Sequence, residues 1–297
     1  MHFSVIICTH NRAAELAENL PRVLALDYQR DRFEVIVIDN ASTDDTATVA
    51  ASAGARCVRE EKLGLSHARN RGIAEAKGEF IAFIDDDAWP EPDWLKELEQ
   101  AFTDPSVACA GGRVIPAWKT LSGWPDWLHE RLIGFFTVVD YPDYRKLSYP
   151  DYPAGTNMAF RKSILAEVGG FNAELGRSGA SLQSGEETDL CLRIEQAGNS
   201  IVHTPDAVVH HHVHEGRLTR EWVRERCHCQ GVSSAIIEKK LFKKSAVTRK
   251  SLLYLLFTIL SAPAGAILRL LGDEKRAFFC DCQSLLCKAY LKAMWLR

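Results

Sequence analysis

The chain has 297 residues, of which 46% are apolar and 25% are charged, so it is long and apolar enough to bury a substantial core. This composition excludes disordered, collagen-like and low-complexity chains. With 36 basic and 39 acidic residues, the formal net charge is −3, which predicts no nucleic acid partner. Nine cysteines, an odd number without framework spacing, indicate a reducing compartment.

Apolar strands and amphipathic helices alternate along the first third of the chain. The predicted strands are 3–9, 33–39, 55–59 and 80–85, and the predicted helices are 16–24, 45–53 and 66–77. Pro21 is expected to kink or restart the first helix. Strands that alternate with helices at this spacing predict an α/β fold with a Rossmann-like, mostly parallel sheet and helices on both faces.

Polar side chains follow three of the predicted strands at the point where each strand ends. Thr9 follows the first strand, Asp39 ends the second, and Asp85 to Asp87 end the strand at 80–85. Ligands of parallel sheets bind beyond the carboxyl ends of the strands. Any one of these groups alone is compatible with ordinary turn chemistry. Together they predict a shared ligand site at one edge of the sheet.

The acidic triplet Asp85 to Asp87 is the most informative of these groups. Three adjacent carboxylates raise one another's pKa unless a cation neutralises them. Oxygen ligands suit Mg²⁺ or Mn²⁺, which complete their coordination with phosphates and water. The alternative is a solvated turn whose carboxylates cap the following helix. In the segment HHHVH at 210–214, we expect His212 to complete the coordination of the cation, whereas 227–229 (CHC) lacks the spacing of a zinc site.

Two further groups carry charges that suit catalysis. Arg69 and Arg71 stand near the start of a predicted helix, where a guanidinium and the helix N-terminus can hold a diphosphate. An ordinary basic surface helix is equally compatible with them. Glu186, Glu187 and Asp189 begin a predicted helix at 186–197, after a Gly/Ser-rich loop. These carboxylates can either stabilise the helix dipole or supply a general base.

Residues 116–153 are rich in aromatic side chains and prolines and show little periodicity. Trp124 and its aromatic neighbours in this segment can stack on acceptor sugars, or they can form a local core. Both alternatives remain open at this stage.

Five segments in chain order resemble family 2 glycosyltransferases, which have the GT-A fold. They are VIICTHNR, EVIVIDNASTDDT, GLSHARNRGIAEAKGEFIAFIDDDAWPEPDWL, AGTNMAFRKSIL and GEETDLCLRIEQAG. The resemblance covers roughly residues 3–215. It implies the transfer of a sugar from a nucleotide-diphosphate donor to a hydroxyl acceptor, a saccharide or lipid-linked saccharide, with inversion at the anomeric carbon.

The resemblance also implies a role for each matching residue. Asp39 is expected at the nucleobase, which suits UDP- or dTDP-type donors, and Arg69 at the diphosphate. Mn²⁺ or Mg²⁺ is expected on Asp85 and Asp87, with Asp87 the principal ligand. The full expected set of donor-binding residues is Thr9, Asn11, Arg12, Asp39, Arg69, Asp85 and Asp86.

The catalytic base and the acceptor site follow from the same resemblance. The family's Glu-Asp pair falls on Glu186 and Glu187, so this chain has Glu where Asp is more usual. We favour Glu187 as the base and keep Glu186 as the alternative. Asn157 and Trp124 are expected to contact the acceptor.

Two other functions are compatible with parts of this pattern. A nucleotidylyltransferase needs a Gly-rich basic loop after the first strand, and CTHNRAAEL lacks one. A non-enzymatic nucleotide-binding or scaffold module would tolerate the loss of the acidic groups, all of which are present.

The chain is expected to comprise three regions. Residues 1–105 form the nucleotide-sugar-binding half and 106–215 the acceptor and catalytic half of one GT-A domain, followed by a helical C-terminal region at 216–297. Six basic residues within 239–250 precede the uncharged run 251–268. As a helix this run is about 27 Å long, slightly short of the hydrocarbon core. We therefore expect a cytoplasmic enzyme that attaches peripherally or monotopically to the cytoplasmic face of a membrane. A buried helix is the alternative.

Overall fold

The computed structural model describes residues 2–119, 123–179 and 181–296, which divide into two compact units. The first, here called the sheet unit, comprises Met1–Ala117, Thr137–Gly179 and Glu186–His212. The second, the helical unit, comprises Trp118–Phe136, Ala180–Gly185 and Val213–Arg297. The aromatic segment of the sequence is thus shared between the two units.

The sheet unit is built on one mixed β-sheet. Its described strands are β1 (Phe3–Thr9), β2 (Phe33–Asn40), β3 (Arg56–Glu60), β4 (Phe80–Asp85), β5 (Ala88–Pro90), β6 (Val107–Ala117), β7 (Arg145–Leu147), β8 (Met158–Arg161) and β9 (Ser200–His212). They lie in the order β3-β2-β1-β4-β8-β6-β9-β5, and β7 also pairs with β9. All four predicted strands of the first third are confirmed.

The two halves of this sheet differ in strand direction. Strands β3, β2, β1 and β4 are mutually parallel, as expected. Strand β8 is antiparallel to both β4 and β6, and β5 and β7 are antiparallel to β9. The expectation of a mostly parallel sheet thus holds throughout the first half, whereas in the second half β6 and β9 are parallel and the other pairings are antiparallel. A strand parallel to its neighbour is reached through a crossover connection, usually a helix. The chain enters β8 instead from the long irregular segment that precedes it.

Helices cover both faces of the sheet. Those on one face are α1 (Ala13–Leu24), α2 (Thr46–Ser52) and α4 (Trp94–Ala101), and those on the other are α3 (Leu65–Glu75), α5 (Lys162–Val168) and α6 (Glu186–Gln196). Because side chains alternate along a strand, Val5 and Ile7 join the first core whereas Ile6 joins the second. Helix α1 continues through Pro21, where we expected a kink or restart.

Three long helices dominate the helical unit. They are α7 (Arg220–Leu241), α8 (Lys244–Leu270) and α9 (Glu274–Trp295), and α9 packs along both α7 and α8. Trp124 packs against Trp118 and Phe136 in a hydrophobic cluster of this unit, with ring centroids 4.8 and 5.1 Å apart. Within the described chain, α8 is the one helix long and apolar enough to cross a membrane.

Candidate active site

Strand register brings the predicted polar groups to one edge of the sheet. Thr9 at the end of β1 lies opposite Asp39 on β2, and Cys8 lies opposite Asp85 on β4. Thr9 and Asp39 are buried, at 3% and 1% exposure. The carboxyl ends of three adjacent parallel strands therefore present their polar side chains side by side.

Asp85, Asp87 and His211 form a cluster with the composition of a cation site. One ligand atom from each lies within 4.8 Å of the other two. His211 Nε2 lies 3.2 Å from Asp87 Oδ1, and both side chains are almost fully buried. His211 Nδ1 is also buried and has no hydrogen-bond partner among the described residues. Two carboxylates and one imidazole fit Mn²⁺ or Mg²⁺ with open positions for phosphate oxygens.

The structure corrects the choice of histidine in this cluster. We expected His212, but its Nε2 lies 3.3 Å from Glu18 Oε1. His211 and His212 are consecutive residues near the end of β9, and consecutive strand side chains point to opposite faces. His211 lies opposite Ala88, the residue directly after Asp87, which brings its ring to the acidic triplet.

Arg12 neutralises the remaining charge of the triplet. Its Nη1 lies 2.5 Å from Asp86 Oδ1 and 2.9 Å from Asp87 Oδ2. Burial, and to a lesser extent the charge of Asp87, raise the pKa of Asp86 to about 7 against the opposing effect of Arg12. Arg12 thus ties the loop after β1 to the acidic end of β4.

Arg69 and Glu186 form a buried ion pair beside this cluster. Arg69 Nη1 donates to Glu186 Oε1 at 2.7 Å, and each residue is 3% exposed. Arg69 Nη2 lies 3.8 Å from Asp85 Oδ1. Burial, and to a lesser extent the charge of Glu187, raise the pKa of Glu186 to about 8 against the opposing effect of Arg69. A Cβ at Gly155 would lie 2.5 Å from Arg69 Nη2, so this glycine leaves room for the guanidinium.

The acidic start of α6 separates into groups with different surroundings. Glu186 is held by Arg69, whereas Glu187 has a buried Oε2 without a hydrogen-bond partner among the described residues. Asp189 pairs with Arg193 at 2.8 Å, and Arg193 also donates to the carbonyl of Val168 at 2.6 Å. Asp189 therefore has the structural role that the i,i+4 spacing allows, although Glu186 Oε2 and Asp189 Oδ1, like Glu187 Oε2, are buried without a hydrogen-bond partner among the described residues.

The expected nucleobase residue is held by contacts within the sheet unit. Asp39 Oδ1 accepts from the Ser42 backbone at 2.9 Å, and its Oδ2 accepts from Arg59 Nη1 at 2.8 Å. Asn11, with a φ of 53°, donates from its backbone to Ser42 Oγ at 3.0 Å. Asn11 Oδ1 accepts from the Thr43 backbone at 2.7 Å. The loops after β1 and β2 are thus joined directly, through a residue in a backbone conformation that Asn tolerates well.

The two expected acceptor residues belong to different units, Asn157 to the sheet unit and Trp124 to the helical unit. Asn157 is fully buried, donates to the carbonyls of Arg113 and Ala207 at 2.8 and 2.7 Å, and accepts from Trp94 Nε1 at 2.8 Å. These three bonds give Asn157 a structural role instead of an acceptor contact. Trp124 lies in the aromatic cluster of the helical unit, so its stacking on a sugar stays a prediction.

Sequence reasoning missed three residues of this site: Arg59, Gly155 and His211. The HHHVH segment did signal that one histidine approaches the triplet. The identity of that histidine depends on the register of β5 against β9. Arg59 carried no signal beyond its place near the end of a predicted strand.

Comparison with known protein families identifies the family of this chain. The model of glycosyl transferase family 2 matches residues 4–169, more than half of the chain. The chain belongs to glycosyl transferase family 2. The matched region contains the rim formed by β1, β2 and β4, including the acidic triplet and Arg69.

Individual relatives agree with this membership. A glucosyl-dolichyl phosphate glucuronosyltransferase of Haloferax volcanii is 27% identical over 248 residues, which are 80% of this chain and 78% of the relative. A pre-mycofactocin glycosyltransferase of Mycobacterium tuberculosis is 28% identical over 246 residues, 78% of this chain but 47% of that longer relative. The mannosyltransferase PcManGT of Pyrobaculum calidifontis superimposes with a TM-score of 0.67 at 23% identity, covering 99% of this chain and 87% of its own.

These similarities distinguish the glycosyltransferase from the nucleotidylyltransferase and the non-enzymatic module, the other two functions that the sequence suggested. The protein is a glycosyltransferase, and its fold is that of the GT-A enzymes. The nucleotidylyltransferase and the non-enzymatic scaffold are therefore set aside. The buried acidic and basic groups at the carboxyl ends of β1, β2 and β4 form the candidate active site of this glycosyltransferase.

Proposed function

We propose that this glycosyltransferase moves a sugar from a nucleotide-diphosphate donor to a hydroxyl acceptor, with inversion at the anomeric carbon and with a divalent cation. One observation carries the proposal: a continuous series of groups runs from His211 and Asp87 through Asp85 to Arg69 and Glu186. A cation-binding cluster thus lies 3.8 Å from a buried guanidinium. This is the charge arrangement that a leaving nucleotide diphosphate requires.

The donor side is assigned to the rim of the sheet. Arg69 would contact the diphosphate, and Arg12 would hold Asp86 and Asp87 in place while the nucleotide binds. Asp39, near the end of β2 and opposite Thr9 of β1, would present its carboxylate toward the nucleobase. The Pyrobaculum neighbour is described in complex with GDP-Man and Mn²⁺, which supports a nucleotide-sugar donor and a divalent cation for this enzyme. The nucleobase of this enzyme's donor is left to experiment.

Asp85, Asp87 and His211 would hold the cation, with either Mn²⁺ or Mg²⁺ compatible with the donor set. When bound, the cation supplies Lewis-acid stabilisation of the charge that develops on the departing diphosphate. Arg69, whose Nη2 lies 3.8 Å from Asp85 Oδ1, would share that task and needs no proton transfer to perform it.

Glu187 is assigned as the general base. The acceptor oxygen attacks the anomeric carbon from the face opposite the diphosphate and loses its proton to the Glu187 carboxylate. The carbon–oxygen bond to the diphosphate breaks as the new glycosidic bond forms, which inverts the configuration in one step. Glu186 serves Arg69 instead, because its Oε1 already accepts from that guanidinium.

A saccharide carried on a lipid phosphate is the acceptor class that we favour. The name of the Haloferax relative refers to glucosyl-dolichyl phosphate, a sugar on a lipid carrier. Such an acceptor lies at a membrane surface. We therefore place the enzyme at the cytoplasmic face, attached through its C-terminal region at 216–297. Its nine cysteines suit a reducing compartment, and its basic segment at 239–250 suits the cytoplasmic side of a membrane.

The test is to incubate the full chain with UDP-, dTDP- and GDP-sugars, Mn²⁺ and a polyprenyl-phosphate saccharide. Release of the nucleotide diphosphate and the anomeric configuration of the product by NMR are the two readouts. We expect diphosphate release that depends on the cation and a product of inverted configuration. Failure of every donor to release a nucleotide diphosphate would contradict the proposal, and a retained configuration would contradict the one-step mechanism.

A further inference from the structure

Helix α8 has the reverse of the burial pattern of a soluble helix. Its buried positions are Val247, Ser251, Ser261 and Gly265, mostly small or polar. Its exposed positions carry the large apolar side chains, with Leu253 at 65% and Ile259 at 61% exposure. The exposed apolar residues of the helix are Leu252, Leu253, Leu255, Leu256, Phe257, Ile259, Leu260, Ile267 and Leu270.

Helical geometry puts the exposed residues on a single broad face. The buried residues recur at intervals of four, ten and four, so they line one narrow stripe that packs against α9. The large apolar side chains occupy the remaining surface, centred opposite that stripe. We call this surface, 252–270 without the stripe, the leucine face. In soluble proteins an exposed apolar patch of this size marks an interaction site.

The charges around the leucine face indicate what covers it. No charged residue occurs between 251 and 268, whereas basic residues flank the run at both ends. Before it stand Lys239, Lys240, Lys243, Lys244, Arg249 and Lys250 with no acidic residue among them, whereas after it Arg269, Lys275 and Arg276 are accompanied by Asp273 and Glu274. An uncharged apolar strip that follows a basic segment complements an anionic lipid surface, with its apolar interior and its phosphate layer.

The neighbouring helix favours an orientation parallel to the membrane. Helix α9 returns along α8 and also packs on α7, and it carries the exposed Lys288 and Lys292. If α8 crossed the bilayer, these lysines would enter the hydrocarbon with it, at a cost of several kcal/mol. The uncharged run, about 27 Å as a helix, is also shorter than the core of about 30 Å.

We propose that α8 lies in the plane of an anionic membrane, with the leucine face in the acyl boundary and the basic residues of 239–250 on lipid phosphates. This proposal extends the proposed function. It rests on that function in one respect, because a lipid-linked acceptor is the reason that the enzyme needs a membrane. The exposure of the leucine face is a property of α8 and does not depend on the identity of the acceptor.

Vesicle flotation of the full chain tests the surface. The probes are vesicles of phosphatidylcholine with phosphatidylglycerol and vesicles of phosphatidylcholine alone. We expect binding to the mixed vesicles and a loss of more than about 100-fold in the triple variant Leu253→Glu, Leu256→Glu, Leu260→Glu. The charge-matched control is Gln29→Glu, Gln100→Glu, Thr103→Glu, three exposed positions on the sheet unit, which should bind like the unchanged protein.

A second variant separates the electrostatic contribution. Changing Lys239, Lys240, Lys243 and Lys244 to Gln should weaken binding to the anionic vesicles by about fivefold per residue at low salt. Circular dichroism and diphosphate release from a soluble donor should stay unchanged in both variants, because the substituted side chains on the leucine face are solvent-exposed. Unchanged vesicle binding by the leucine-face variant would overturn the proposal.

Orientation and the competing occupant need their own readouts. Lys243 directly precedes α8, and Lys275 lies in the first turn of α9, shortly after α8 ends. A membrane-impermeant amine reagent added to vesicle-bound protein should label both lysines from the same side. Protection of either lysine until detergent is added would show a spanning helix and overturn the in-plane orientation. If light scattering shows a dimer that the leucine-face variant converts to monomers, without vesicle binding by either, a second copy covers the face instead. If the unchanged protein releases the diphosphate but does not bind the vesicles, this inference alone is refuted; if it binds the vesicles but releases no diphosphate, the proposed function alone is refuted.

Discussion

Arg69 and Glu186 are 117 residues apart in the chain, and their side chains meet in a buried ion pair of 2.7 Å. Arg69 comes from α3 and Glu186 from the first turn of α6, on the same face of the sheet. The pair fixes the guanidinium 3.8 Å from Asp85 and engages one of two adjacent glutamates. The other, Glu187, is the general base that we propose, so substitutions at the two positions should have different effects.

Glu187→Gln should lower kcat by about 100-fold or more while donor and cation binding persist, because only the proton acceptor is lost. Glu186→Gln is the matched control, since it makes the same change one residue earlier and keeps an acceptor for Arg69. Steady-state kinetics with calorimetric donor binding measures both. If Glu186→Gln shows the loss of kcat and Glu187→Gln is active, the two roles are reversed.

Donor affinity should depend on pH through Glu186. Burial above all, together with Glu187 and against the opposing effect of Arg69, raises the pKa of this carboxyl to about 8, so its contact with Arg69 becomes a full ion pair only as the pH rises through that value. An ionised Glu186 repels a diphosphate and neutralises Arg69, so the donor Kd should rise as the pH increases from 7 to about 9. Calorimetry across this range measures it. In Glu186→Gln the same rise should vanish; its persistence would assign the titration to another group.

Asp87→Ala should abolish transfer and remove the cation dependence of nucleotide binding, because Asp87 joins His211 and Asp85 in one cluster. The exposed Asp31→Ala, which loses the same group at the surface, is the control and should retain both properties. Turnover by Asp87→Ala that still depends on Mn²⁺ would refute the cation assignment.

His211→Ala should weaken Mn²⁺ binding by at least about 10-fold, whereas His212→Ala should leave it near the level of the unchanged protein. The contrast follows from the positions of the two rings, one 3.2 Å from Asp87 and the other 3.3 Å from Glu18. Titration calorimetry of Mn²⁺ on the two variants compares them directly. A larger effect from His212→Ala would restore the histidine that the sequence favoured.

Asn157→Ala should lower the free energy of unfolding by about 2 kcal/mol or more, because it leaves Trp94 Nε1 and two buried carbonyls without partners. Acceptor KM should change little, since the side chain is fully buried. Denaturant unfolding and acceptor kinetics measure the two quantities, with the half-buried Asn199→Ala as control. A stable variant with a raised acceptor KM would reinstate the acceptor role.

Local sequence determined the strands and where their polar ends lie. Buried parallel strands need continuous apolar runs, so β1, β2 and β4 are visible in the sequence within a residue of their observed ends. Their carboxyl ends meet at one edge by topology, which places Thr9, Asp39 and Asp85 together before any side chain is positioned. The motif order was also sufficient to indicate the glycosyltransferase family that the comparisons show.

Side-chain partners that depend on register or on distant elements were decided only by the tertiary structure. A shift of one position along β9 exchanges His211 for His212, and no local pattern encodes that register. Asn157 is structural because Trp94, Arg113 and Ala207 converge on it from other elements. The inverted faces of α8 appear only when α9 is packed against it, because composition states how apolar a helix is and packing decides which side remains exposed.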